Sequence, residues 1–148
     1  MPHRTAAILS VGDELVLGQG LDTNSAWLSE QLAAAGIMPV GHATVPDDRD
    51  AIAAALTRLA AAADLVLVTG GLGPTEDDLT RSALAEALGE PLVTDEEALA
   101  QIRAWFAGRA RPMPEINAVQ ALRPASARCL PNARGTAPGL WVPRVGGL

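Results

Sequence analysis

Hydrophobic residues recur along this chain with two periods, and their alternation predicts a domain in which strands and helices take turns. Ala6 to Val11 reads as a first buried strand, and Ile37 to Val45 as a second. Leu65 to Val68 is short, apolar and rich in valine, as expected of a strand covered on both faces of a parallel sheet. Between them, Asn24 to Ala35 has a helical pattern, with Thr23 or Asn24 near its cap and Gly36 just past its end. Pro46-Asp47-Asp48 opens a second helix through Ala62, in which Ile52, Leu56, Leu59 and Ala63 recur at helical spacing. A third helix is predicted from Asp78 to Leu88, stopped by Gly89. The order is βαβαβα, and the expected class is α/β with a mostly parallel sheet.

The second half is less regular. Thr94-Asp95-Glu96-Glu97 has the form of a capping box, with Thr94 at the cap and Glu97 three residues on, ahead of a helix bearing Ile102, Trp105 and Phe106. A connection rich in proline and arginine leads to a shorter helix around Glu115 to Leu122, ending before Pro124. Ala127 to Leu130 and Leu140 to Val142 read as two short strands around a glycine-containing loop.

Composition narrows the function. At 148 residues the chain fits a single domain, residues 1–148. A net charge of −6 argues against nucleic acid or an anionic membrane as partner, because either requires a basic face. No apolar run approaches a membrane span and the N-terminus is too short for a signal peptide, so a cytoplasmic location is expected. Cys129 is the only cysteine, which excludes an internal disulfide and a cysteine-based zinc cluster. His3 and His42 receive no role. All eleven basic residues are arginines, which removes a Walker-type lysine and any lysine Schiff base. Phosphate binding must therefore rest on backbone amides, arginine or metal.

The stretch from Val68 to Thr80 carries the most chemistry. Gly70, Gly71 and Gly73 let backbone amides approach a ligand closely, and the helix that follows adds its positive N-terminal end. Glu76, Asp77 and Asp78 would repel a phosphate unless a divalent cation lay between, and Mg²⁺ binds in that manner, through one or two carboxylates plus phosphate oxygens and water. Capping of the helix by Asp77 and Asp78 is the simpler alternative. In open α/β sheets ligands bind beyond the carboxyl ends of the strands. Gly12-Asp13-Glu14 follows the first strand and Asp47 the second, so neighbouring parallel strands would face these carboxylates into one crevice with the glycine loop. Asp13 and Glu14 as turn residues, and Asp47 as an ordinary cap, are the alternatives.

With these motifs the chain resembles the N-terminal domain of the CinA (competence/damage-inducible) proteins and, more broadly, the MoaB/MogA-like domains of molybdopterin biosynthesis. The match rests on Val11 to Gly18, Asp22-Thr23-Asn24-Ser25, Thr69 to Thr80 and Gly135-Thr136-Ala137-Pro138-Gly139. Leu72 and Asp77 place it on the CinA side, since the molybdopterin branch usually has threonine and often arginine at those positions. The resemblance implies a three-layer α/β/α sandwich and a metal-dependent site for a phosphorylated nucleotide or pterin. CinA-type domains are associated with hydrolysis of ADP-ribose to AMP and ribose 5-phosphate, and MogA-like relatives adenylylate molybdopterin. A non-catalytic ligand binder is a third reading.

Carried onto this sequence, Asp78 and Asp47, with Asp77, would hold Mg²⁺ or another divalent cation, and Gly12, Gly70, Gly71 and Gly73 would line the phosphate site. Asp13 or Glu14 would position the attacking water, and Thr75 and Asn24 would make secondary contacts. Because family members continue beyond the Gly-Thr-Ala-Pro-Gly segment into a further strand and loop, the domain is expected to be cut short at its C-terminal end, with a tendency to form homo-oligomers.

Overall fold

Residues along the first strand alternate between two apolar faces, and this alternation sets the layering of the molecule. The computed structural model describes residues 3–143. In chain order it comprises β1 (Thr5–Val11), the one-turn helix α1 (Asp13–Val16), α2 (Thr23–Ala34), β2 (Met38–Val45), α3 (Arg49–Ala62), β3 (Leu65–Thr69) and α4 (Thr80–Leu88). Then follow β4 (Leu92–Thr94), α5 (Glu96–Ala107), a 3₁₀-helix (Glu115–Ala121), β5 (Leu122–Pro124), β6 (Arg128–Leu130) and β7 (Gly139–Trp141).

β1 is the centre of a parallel sheet in the order β2-β1-β3. Ala6 and Ile8 pack with Leu32 and Leu28 of α2 on one face. On the other, Ala7, Leu9 and Val11 meet Ile52, Leu56 and Leu59 of α3 and Ala83 of α4. Two faces and two helix layers make the three-layer α/β/α sandwich. Because the strands are parallel and nearly in step, Val11 pairs with Val45 and Ser10 with Thr69, so all three strands end at one level. The segments after them therefore share one edge of the sheet.

The remaining elements form an annex with its own core, in which Ala98, Leu99 and Ile102 of α5 pack on Ala121, with Phe106, Met113 and half-buried Cys129 around them. β4 pairs antiparallel with β5, and β6 with β7. The last pair corresponds to the two short strands expected in the tail.

Several boundaries differ from the sequence reading, and each difference has a local cause. Thr94 does not cap α5, because it is drawn into the ladder opposite Leu122; Asp95 caps the helix instead, accepting the Ala98 amide at 2.9 Å. Asp22, rather than Thr23 or Asn24, caps α2 through the Ser25 amide at 3.0 Å. Asp48, rather than Asp47, caps α3 through the Ala51 amide at 2.8 Å. α4 begins at Thr80 instead of Asp78, with Leu79 at its cap and no side-chain cap bond, so neither Asp77 nor Asp78 has a capping role. The short helix expected around Glu115 to Leu122 is present as a 3₁₀-helix over Glu115–Ala121.

Candidate functional site

The loop after β3 is built from its carbonyls inward. Gly70 O accepts the Thr80 hydroxyl at 2.8 Å, and Gly71 O accepts the Thr80 amide at 3.2 Å. Leu72 O and Gly73 O accept the two terminal nitrogens of Arg81, the latter at 3.2 Å. Four successive carbonyls thus face the first turn of α4. In a planar trans peptide the amide of the next residue points the opposite way, so the amides of Gly71 and Leu72 are turned away from α4. Pro74 contributes none.

Glycine is required at several points of this loop for separate reasons. Gly70 has a φ of 99° and Gly71 a φ of 69°, a region that L side chains rarely adopt. A Cβ on Gly70 would overlap the Val11 carbonyl oxygen, and one on Gly73 would overlap the Asp78 carboxylate. Gly73 is therefore what lets Asp78 fold back into the loop.

Asp78 organises the loop from inside. One carboxylate oxygen accepts both the amide and the hydroxyl of Thr75, at 2.9 and 2.7 Å. Burial works to raise its pKa, but the Thr75 donors, the Gly73 amide and the charge of Arg81 outweigh it and hold the carboxyl below the ordinary carboxylate range. Two expectations change. Thr75, expected as a ligand contact, is a partner of Asp78, and Gly73 turns its amide toward that carboxylate rather than toward a phosphate.

At the ends of β1 and β2, Asp13 and Asp47 clasp one another. Asp13 N donates to Asp47 Oδ2 at 3.2 Å, and Asp47 N donates to Asp13 Oδ1 at 2.9 Å. Each carboxylate keeps a second oxygen outside this clasp. Gly12 closes the turn, donating to Val45 O at 3.0 Å and accepting the Leu15 and Val16 amides. Glu14 folds back over Gly12, its carboxylate within 2.8 Å of where a Gly12 Cβ would stand. Asn24 Nδ2 donates to Thr69 Oγ1 at 3.1 Å, tying the first turn of α2 to the end of β3.

The expected metal set is regrouped by this geometry. Among the described residues no three His, Cys, Asp or Glu side chains converge on a point, so Asp47, Asp77 and Asp78 do not form a ready three-carboxylate cage. The pair that is brought together is Asp13 and Asp47. Two hard carboxylate oxygens with room for water suit Mg²⁺, which keeps much of its hydration shell and takes few protein ligands.

Three positions that shape this edge of the sheet were given no role in the sequence reading: Thr80, Arg81 and Asp22. Arg81 is only 4% exposed, which is rare for a charged residue without a carboxylate partner in direct contact. Its signal was available, since Leu84, Ala85 and Leu88 at three, four and seven residues on define an apolar stripe that contains it. Asp22 accepts the hydroxyl of fully buried Ser10 at 2.6 Å, and its carboxyl is likewise held low. Burial opposes that shift, and the Ser10 hydroxyl and Ser25 amide overcome it.

These carboxyls predict an acid limit to stability. Asp22, Asp78 and Asp95 all have folded-state pKa values below their ordinary ones; at Asp95 the Ala98 amide is the main cause and Arg123 the next. Groups of this kind contribute stability that is fully present above the unfolded pKa, about 3.9, and is lost as pH falls through the folded values. The melting temperature is expected to be flat above about pH 5 and to drop below about pH 4. A melting profile that rises on acidification would contradict the assignment.

The parallel sheet, its two helix layers and the glycine–aspartate loop at the strand ends define a MoaB-like α/β domain. A family model described as "Probable molybdopterin binding domain" matches residues 7–146, and the chain belongs to that family, in its CinA-like branch. A CinA-like protein of Thermomicrobium roseum is 51% identical over 141 residues, covering 95% of this chain and 35% of the relative. A putative competence-damage inducible protein of Symbiobacterium thermophilum is 47% identical, covering 95% of this chain and 33% of the relative. The chain thus spans about a third of the length of the curated relatives it matches. Among solved structures, the protein CinA of Thermoplasma acidophilum, of unknown function, superposes with a TM-score of 0.88 at 38% identity, over 97% of this chain and 83% of the other. The molybdopterin biosynthesis enzyme MoaB of Thermus thermophilus superposes at 0.55 with 26% identity, over 76% and 69%. Among the described residues no helix is long and apolar enough to cross a membrane.

Proposed function

We propose that this domain binds a phosphorylated nucleotide at the shared ends of β1, β2 and β3 and hydrolyses the pyrophosphate bond of ADP-ribose. The observation that carries the reading is the orientation of the 70–73 loop: its carbonyls are held by Thr80 and Arg81, and its free amides at Gly71 and Leu72 are left for an anion at the same edge of the sheet as the clasped Asp13 and Asp47. Oriented amides at the end of a buried strand are a fixed partial positive charge that water need not rearrange to supply.

In this reading Asp13 and Asp47 would hold a divalent cation, while Asp78 sets the glycine loop from inside and Asp77 stands at the loop's exposed margin. When bound, such a cation neutralises phosphate charge and acidifies coordinated water. Gly71 and Leu72 amides hold the diphosphate, and Asn24 lies at the same end of the edge, against Thr69 just ahead of the loop. Glu14, beside Gly12, orients the water whose oxygen bonds to phosphorus as the bridging P–O bond breaks; the products are AMP and ribose 5-phosphate.

Calorimetry with ADP-ribose tests the reading. Affinity in the presence of Mg²⁺ is expected to exceed that in chelator by at least tenfold, about 1.4 kcal/mol, with AMP appearing only in the metal-loaded reaction. Equal binding in the two conditions would remove the cation, and binding without AMP would remove the hydrolysis. A second reading, binding or adenylylation of molybdopterin, is favoured by the description of the matching family and the likeness to MoaB. It predicts ATP-dependent modification of molybdopterin and no turnover of ADP-ribose.

A further inference from the structure

Arg81 is buried on the apolar stripe of α4, and its Nε is the one buried side-chain nitrogen or oxygen without a hydrogen-bond partner among the described residues. An unpartnered N–H and a desolvated charge both lower stability. A methionine or leucine would fill such a stripe without either cost, so packing does not account for an arginine here. What the guanidinium does provide is a planar fork whose two terminal nitrogens reach two adjacent carbonyls, those of Leu72 and Gly73. Gly73 is gripped from both sides in consequence, its carbonyl by Arg81 and its amide by Asp78 in the loop ahead of α4.

We infer that Arg81 is a positioning residue for the anion site: by holding the Leu72 and Gly73 carbonyls against α4 it fixes the peptide that directs the Gly73 amide onto Asp78, and so anchors the end of the loop whose Leu72 amide faces the ligand. It touches no ligand itself. The inference rests on the reading of the 70–73 loop as the site of the phosphates, and goes beyond it by assigning the anchoring of the loop's second half to one side chain.

Arg81→Met and Arg81→Lys separate this role from a structural one. Met retains the stem and removes the fork, whereas Lys retains the charge and reaches one carbonyl. Arg81→Met is expected to melt within a few degrees of the parent and to bind inorganic pyrophosphate with Mg²⁺ at least fivefold more weakly, with Arg81→Lys in between. In the ligand-free protein, amide hydrogen exchange at Gly73, the loop amide bonded to Asp78, should accelerate in the order parent, Lys, Met, while exchange in the second and third turns of α4 stays unchanged.

The two readouts fail separately. If the parent protein binds no pyrophosphate, the proposed function is lost, and the exchange measurement still decides the role of Arg81. Unchanged exchange of the Gly73 amide in Arg81→Met would overturn the inference, as would unchanged pyrophosphate affinity where the parent binds. Should the Met variant fail to fold, the same comparison is made with Arg81→Lys. Loop exchange and affinity indistinguishable from the parent in that variant would overturn the fork as the positioning device.

Discussion

Gly70→Ala is expected to destabilise the domain by about 2–4 kcal/mol, a large part of the roughly 5–15 kcal/mol that holds a domain folded. Two effects combine at this residue. Its φ of 99° strains any L side chain, and the added Cβ would overlap the carbonyl oxygen of Val11. Val11 has little freedom to give way, because it is buried at the end of the central strand and paired with Val45. Gly36→Ala is the matched control: Gly36 also has a positive φ, 77°, but its Cβ would meet nothing within 4 Å. It should cost only about 1–2 kcal/mol, the strain alone. Urea denaturation of the two variants measures the difference, and equal losses would show that the contact between the loop and β1 is looser than the geometry requires.

Asp78→Asn and Asp95→Asn are expected to fail in opposite ways, although each removes one carboxylate charge near the start of a helix. Asp78 accepts two hydrogen bonds from Thr75 on one oxygen and lies beside the Gly73 amide, so the neutral amide weakens the contacts that set the loop. Binding of ADP-ribose with Mg²⁺ should fall about tenfold to a hundredfold, or 1.4–2.7 kcal/mol. Asp95 instead caps α5 and pairs with Arg123 at 2.8 Å, in the annex and outside the strand-end site. Its loss should lower stability by about 1–2 kcal/mol and leave affinity unchanged. Isothermal calorimetry and thermal melting on the two variants decide the matter, and equal losses of binding would displace the site from the β3 loop.

The difference between these two aspartates was only half visible in the sequence. Both precede a helical pattern, and the glycines before Asp78 singled it out as functional. The direction in which its side chain turns was not visible. Asp78 folds back because Gly73 leaves space for it, a contact across five residues of irregular loop that no periodicity encodes. Asp13 and Asp47 show the same limit over a longer range. Each could be placed after a strand, but their clasp depends on β1 and β2 being adjacent, parallel and in step over 34 residues of separation.

Local pattern therefore determined much about this protein by itself: the βαβαβα order, the class of the sheet, the glycine loop after β3 and the level at which its carboxylates would gather. Those features follow from side-chain periodicity and from glycine's freedom at positive φ, which act over a few residues. The tertiary structure alone decided the caps at Asp22, Asp48 and Asp95, the withdrawal of Thr94 into a strand, and the inward turn of four loop carbonyls onto Thr80 and Arg81. Each of these depends on which donor reaches which acceptor once the sheet and its helices have packed, and a buried arginine on an apolar helix stripe acquires its purpose only when the loop it holds has been brought against it.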